Sequence, residues 1–137
     1  MTYLLDTNAC IAVINGRPPA VRARLAKALD AGAEVLVPTV VAYELWYGVA
    51  KSEHAEANAR RVETFFAGPV GVLPFEEEDA RSAGRVRAAL EASGKPIGAY
   101  DVLIAGQAVC RNLTLVTANA KEFARVKGLP WEDWAKR

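Results

Sequence analysis

Short apolar runs alternate along this chain with longer stretches whose apolar residues recur at a helical period. Tyr3-Leu4-Leu5, Glu34-Val35-Leu36-Val37-Pro38, Val70-Gly71-Val72-Leu73 and Leu113-Thr114-Leu115-Val116-Thr117 are too short for helices, and they read as buried strands. After the first run, Thr7 or Asn8 is placed to cap a short helix through Ile14, which Asn15-Gly16 stops. Pro18-Pro19 opens a second helix with Val21, Leu25, Ala28 and Leu29 on one face, ending at Gly32. Thr39 caps a third helix to about Val49. It is apolar nearly all round, which predicts a central position. A fourth helix puts Ala55, Ala59, Val62 and Phe66 on one stripe.

Glu76-Glu77-Glu78-Asp79 suits the first turn of a long fifth helix, since anions stabilise a helix N-terminus, and Ser93-Gly94 ends it. Glu77, Arg81 and Arg85 follow at successive i, i+4 positions, the spacing of surface ion pairs. A sixth helix runs from near Tyr100 to about Arg111, a short helical turn starts at Ala120, and the tail has room for one more short strand. Strands alternating with helices predict an α/β fold: an open, mostly parallel sheet of four to five strands flanked by about seven helices. At 137 residues without a linker or repeat, one domain over 1–137 is expected.

Three carboxylates break this pattern. Asp6 ends the first apolar strand, Glu44 lies within Val40-Val41-Ala42-Tyr43-Glu44-Leu45-Trp46-Tyr47, and Asp101 heads the apolar sixth helix. An unpaired buried carboxylate costs several kcal/mol or takes up a proton. A hard divalent cation shared by all three would relieve the cost together. Ion pairing with arginine is the bland alternative for each. In open α/β sheets, ligands bind beyond the carboxyl ends of the strands, and the strand assignments put Asp6 and Asn119 there. Glu44 and Asp101, near helix starts, can reach the same edge. Oxygen-only ligands suit magnesium or manganese rather than zinc. The chemistry that follows is phosphodiester hydrolysis.

Composition narrows the alternatives. A net charge of +1 argues against coating nucleic acid through bulk charge. The clusters Arg22/Arg24/Lys27, Arg60/Arg61, Arg81/Arg85/Arg87 and Lys121/Arg125/Lys127 read mostly as solvated helix faces. His54, the only histidine, lies in a polar stretch, which disfavours a zinc site or a serine–histidine relay. Cys10 and Cys110, without metal-ligand or redox spacing, fit a reducing compartment. No apolar run nears the roughly 20 residues of a membrane helix, so a cytoplasmic protein is expected. Trp46 and Tyr47 are expected to pack in a buried helix, with RNA stacking as a minor option. Phe65 and Phe66 suit core or dimer contacts, and Trp131 and Trp134 suit tail packing.

Five blocks in order carry a family resemblance: Asp6-Thr7-Asn8; Glu44-Leu45 with Gly48; Ile97-Gly98 then Asp101 with Ile104-Ala105; Leu115-Val116-Thr117 with Asn119; and Glu122-Phe123. Together with the closing Gly128-Leu129 and Trp131-Glu132-Asp133-Trp134, they resemble the PIN-domain nucleases, and among those the VapC toxins of bacterial VapBC toxin–antitoxin pairs. The resemblance implies a PIN fold and a Mg2+- or Mn2+-dependent endoribonuclease that arrests growth by cutting tRNA or rRNA. It implies Asp6, Glu44 and Asp101 as metal-site acids. Asn119 stands where many members have a fourth acid, and would serve as a neutral oxygen ligand or position a water. Asn8 and Thr117 would orient the carboxylates, alongside their ordinary roles as helix cap and strand end.

The resemblance also implies a VapB-like antitoxin whose C-terminal segment blocks the site, and a homodimer within a larger complex. DNA reading would belong to the antitoxin. The alternative is a PIN-shaped RNA- or protein-binding module that has lost catalysis. A phosphatase using Asp6 as nucleophile ranks last, because Asn8 stands where a second acid is usual. Clustered acids further predict at least one raised pKa without metal.

Overall fold

In a computed structural model, residues 1–136 are described. The chain order is β1 (Thr2–Leu5), α1 (Thr7–Asn15), α2 (Pro19–Asp30), β2 (Glu34–Pro38), α3 (Thr39–Lys51) and α4 (Ala55–Ala67). It continues with β3 (Gly71–Leu73), α5 (Glu77–Ala92), α6 (Ala99–Cys110), β4 (Thr114–Val116), α7 (Ala120–Phe123) and β5 (Trp131–Glu132). The five strands form one sheet in the order β3-β2-β1-β4-β5, and every pairing is parallel. The chain steps outward from β1 through β2 to β3, then returns to lay β4 on the other side of β1. The reversal falls between β1 and β4, the position where open parallel sheets bind ligands.

Parallel strands covered on both faces read as continuous apolar runs. Leu4, Leu5, Val35, Val37, Leu115 and Val116 are all buried, with helices packed over them. Helix α1 starts at Asp6, whose side chain accepts from the Ala9 N–H, so the cap is Asp6 itself and not Thr7 or Asn8. It ends at Gly16, held left-handed at φ 71°.

The sixth helix, not the third, is central. Val102 and every residue from Ile104 to Ala108 are buried in α6. Helix α3 buries Val41 and Leu45 but turns Tyr43, Trp46 and Tyr47 outward, which corrects the expectation of an all-round buried helix. Apolarity alone does not separate a buried helix from one with an exposed aromatic face. Thr39 is the first residue of α3 rather than its cap, and its hydroxyl donates to the Leu73 carbonyl. The α4 stripe holds at Val62, whereas Ala55 is exposed.

Helices α5 and α6 meet closely because Gly106 lacks a side chain: a Cβ there would fall 2.4 Å from the Ala83 Cα. The same pair encloses an acid that the sequence pattern assigned to a helix start. Asp79 does cap α5, accepting from the Glu76 N–H at 2.8 Å, but it is fully buried. Arg111 grips it with two bonds of 2.9 and 3.0 Å, and Gln107 adds one of 3.1 Å. Burial alone would raise this carboxyl; the Arg111 guanidinium, the Glu76 N–H and Gln107 together hold it below its ordinary value. By contrast, Arg81–Glu77 and Arg87–Glu91 are exposed i, i+4 pairs, worth little individually. Among the described residues, no helix is long and apolar enough to cross a membrane.

Candidate functional site

Register brings the first two site residues together. Leu5 pairs with Val116, so Asp6 and Thr117 leave β1 and β4 at one level, and the Asp6 N–H donates to the Val116 carbonyl at 3.1 Å. Asp6 is 5% exposed, and its Oδ1 is committed to the Ala9 N–H at 2.9 Å. Thr117 is buried and accepts from the Asn119 N–H at 2.9 Å, which leaves its hydroxyl proton free for Asp6. Burial pushes the Asp6 carboxyl up, Thr117 and Ala9 offset part of that, and the charges of Glu44 and Asp133 add to it.

Glu44 comes from α3 and Asp101 from the first turn of α6. Thr7 at the start of α1 donates to Glu44 Oε1 at 2.8 Å. A helix N-terminus ordinarily favours an ionised acid, but Asp101 is pushed up to about 7, first by burial and then by hydrogen bonding to Glu122 and the charges of Glu122, Asp6 and Glu44. Burial and the neighbouring acids thus favour the protonated form of Asp101 well above the usual carboxylate range. Charge effects link Asp6 with Glu44, and Asp101 with Asp6, Glu44 and Glu122, so the four acids lie near one another. Asp6, Glu44 and Asp101 form no ion pair with arginine or lysine among the described residues, whose four salt bridges all lie elsewhere. Arginine pairing, the bland expectation for these acids, is thereby set aside.

The sequence reading passed over Glu122 as a site residue. Asn119-Ala120-Lys121-Glu122 has the spacing of a helix capping box, which hides an acid aimed at the sheet edge. The signal available was its i, i+3 relation to Asn119, and the structure uses it: the Asn119 amide donates to Glu122 Oε2 at 2.6 Å. Asn119 therefore reaches the cleft by orienting a fourth carboxylate. Asn8 is exposed and makes no side-chain hydrogen bond to a site acid among the described residues; it lines a shallow depression with Thr117 and Asp133. His54 is exposed, away from this chemistry, as expected.

Two depressions of about 510 Å3 each, both beside α5, contain none of the four acids. Glu44 lines a separate depression between α1, α3 and α4, with Asn58 and Arg61. Among the described residues no trio of acidic side chains closes into a finished coordination cage. Glu44 leans on Thr7 and Asp101 on Glu122. The donor set nonetheless fits a hard divalent ion: Asp6 is buried, Glu44, Asp101 and Glu122 are half-buried, and none is in a salt bridge among the described residues.

The fold is thus an open, fully parallel α/β sheet with acidic side chains at its switch point. A PIN domain family model matches residues 3–129, and the chain belongs to the PIN-domain family, in its VapC branch. It is 39% identical over 135 residues to the tRNA(fMet)-specific endonuclease VapC of Shigella flexneri, covering 98% of this chain and 99% of that protein. It is 37% identical over 136 residues to Ribonuclease VapC2 of Rickettsia felis, covering 99% of this chain and 100% of that one. Among solved structures, VapBC2 from Rickettsia felis bound to a promoter DNA fragment superposes with a TM-score of 0.92 at 35% identity, over 98% of this chain and 99% of the other. DNA-bound VapBC from Salmonella typhimurium gives 0.89 at 36% identity, over 98% of each chain.

Proposed function

We propose that this chain is a Mg2+- or Mn2+-dependent endoribonuclease acting as the toxin of a VapBC-type toxin–antitoxin pair, with tRNA as substrate. The observation that carries the reading is the cluster of Asp6, Glu44, Asp101 and Glu122 at the sheet's switch point, without a cation among the described side chains. Relatives named as ribonucleases, two of them tRNA(fMet)-specific, support the choice of RNA.

Asp6, Glu44 and Asp101 would hold the ion, with Glu122 beside Asp101. When bound, the ion supplies charge stabilisation and a water acidic enough to attack phosphorus. The chain's own groups do the positioning. The Ala9 N–H fixes one Asp6 oxygen and turns the other to the cleft. Thr7 sets the Glu44 carboxylate, Thr117 faces Asp6, and Asn119 aims Glu122. Asp101, whose carboxyl is held up by burial and the neighbouring acids, would give up its proton to serve as a ligand.

The VapBC complexes among its structural neighbours support a VapB-like antitoxin as partner; the family resemblance adds that its C-terminal segment would cover this site and that the chain would be a homodimer within a larger assembly. The chain is all parallel sheet and covering helices, and the DNA reading in such an assembly is assigned to the antitoxin. The test is incubation of purified protein with total tRNA and ribosomal RNA in magnesium, manganese or chelator, with cut ends mapped by primer extension. A metal-dependent cut at one position in tRNA is expected. Intact RNA under every metal condition, with antitoxin shown to be absent, would leave a binding module as the better reading.

A further inference from the structure

Two exposed tyrosines stand where the acid cleft meets solvent. Tyr43 of α3 immediately precedes Glu44, and Tyr100 of α6 immediately precedes Asp101. They are 54% and 45% exposed, which is unusual for large aromatic rings. The rings nevertheless meet across the two helices, edge to face, with centroids 5.6 Å apart. The Tyr100 hydroxyl donates to that of Tyr43 at 3.3 Å. An edge-to-face contact covers at most one face of one ring, so the pair is fixed in orientation while π-surface stays open. One turn further along α3, Tyr47 is 57% exposed, with Lys51 Nζ 5.0 Å from its ring centroid.

The placement matters because of the charge beside it. The site gathers four acids, none in a salt bridge among the described residues, and a bound divalent ion would offset only part of their charge, so phosphates of an approaching RNA gain little from this rim. At this rim, substrate must be held by contacts that do not depend on phosphate charge. Stacking on an aromatic face is such a contact, and every unpaired base offers one. A base inside a duplex has both faces covered by its neighbours.

We propose that Tyr43 and Tyr100 form a stacking platform for an unpaired RNA base next to the bond that is cut, and so confine the enzyme to single-stranded loops. The proposal rests on the ribonuclease reading and adds to it the form of RNA the site accepts. A second copy of the chain is the competing occupant of the same face, and the test separates the two.

Binding of a fluorescent RNA hairpin with an unpaired loop, and of the blunt duplex of its stem, is followed by anisotropy in chelator. The proteins are the full-length parent, Tyr43→Ala, Tyr100→Ala and the two Phe variants. Light scattering at the same concentrations reports the oligomeric state. The alanine variants are expected to bind the hairpin roughly 10-fold more weakly, the phenylalanine variants to bind it as the parent does, and duplex binding not to change. Equal hairpin binding by parent and alanine variants overturns the platform. So does a parent that fails to prefer the hairpin over the duplex, or a loss of binding that appears only together with dissociation into monomers. Cleavage of the same hairpin by the parent in magnesium is scored separately: if the parent cuts while the tyrosine variants bind normally, the ribonuclease reading stands and only the platform falls.

Discussion

The Thr7 hydroxyl donates to Glu44 Oε1 at 2.8 Å, joining residues 37 positions apart and tying the start of α1 to the middle of α3. Thr7 follows Asp6 directly, so one turn of chain both supplies an acid and orients a second. Thr7→Val keeps the shape and removes the donor. It is expected to cost about 1 kcal/mol of stability in urea titration. It should also weaken divalent-ion affinity roughly 10-fold, as loss of a ligand-orienting bond does elsewhere. Thr7→Ser should restore both. Unchanged ion affinity in Thr7→Val would show that Glu44 needs no such support.

The sequence pattern located three of the four acids because each interrupts an apolar run: Asp6 after Leu4-Leu5, Glu44 within α3, Asp101 before Val102. Glu122 follows Lys121 in a polar turn and interrupts no apolar run, so its signals were only its spacing from Asn119 and its place beside Phe123 in the family resemblance. Asp79 was concealed in the opposite way. It sits among Glu76, Glu77 and Glu78, which look like one solvated helix start, but the α5–α6 packing buries only that member and sets Arg111 against it. The parallel sheet was legible from the period of the runs; the strand order was not, since it depends on which faces meet in space. The exposure of α3's aromatic face has the same origin, because residue type does not say whether a neighbouring layer exists.

Removing Arg111's charge should test the buried pair alone. Arg111→Met leaves Asp79 buried without its cation, and a loss of roughly 2–3 kcal/mol is expected, below the range for fully buried pairs because the Arg111 side chain is 30% exposed. Ion affinity, measured on the folded protein, should not change. A loss of ion affinity without a loss of stability would make the Asp79–Arg111 pair part of the site.

Gly106→Ala places a methyl group 2.4 Å from the Ala83 Cα and 2.6 Å from its Cβ. Helix α6 must then move away from α5, and destabilisation of about 1–3 kcal/mol is expected in thermal melts. An unchanged melting temperature would mean the helices are not in the close approach described.

Asp101 gives a pH dependence of definite sign. Its carboxyl rises from 3.8 to about 7 on folding, so the folded protein holds a proton that the unfolded chain releases. Its stability contribution is complete below pH 3.8 and is lost as pH climbs toward 7. In chelator, the melting temperature is expected to fall across that window, and Asp101→Asn should flatten the fall. Asp79 works in the opposite direction at the acid end, losing its contribution as pH drops below its ordinary value. A parent whose melting profile in chelator matches that of Asp101→Asn would contradict the raised Asp101 carboxyl.

The most direct measurement is a calorimetric titration of manganese into the parent and into Asp6→Asn, near neutral pH in two buffers of different ionisation enthalpy. The parent should bind saturably and release protons as Asp101 gives up its own, while Asp6→Asn should bind at least about 10-fold more weakly. Superimposable isotherms for the two proteins would contradict a metal site built on these acids.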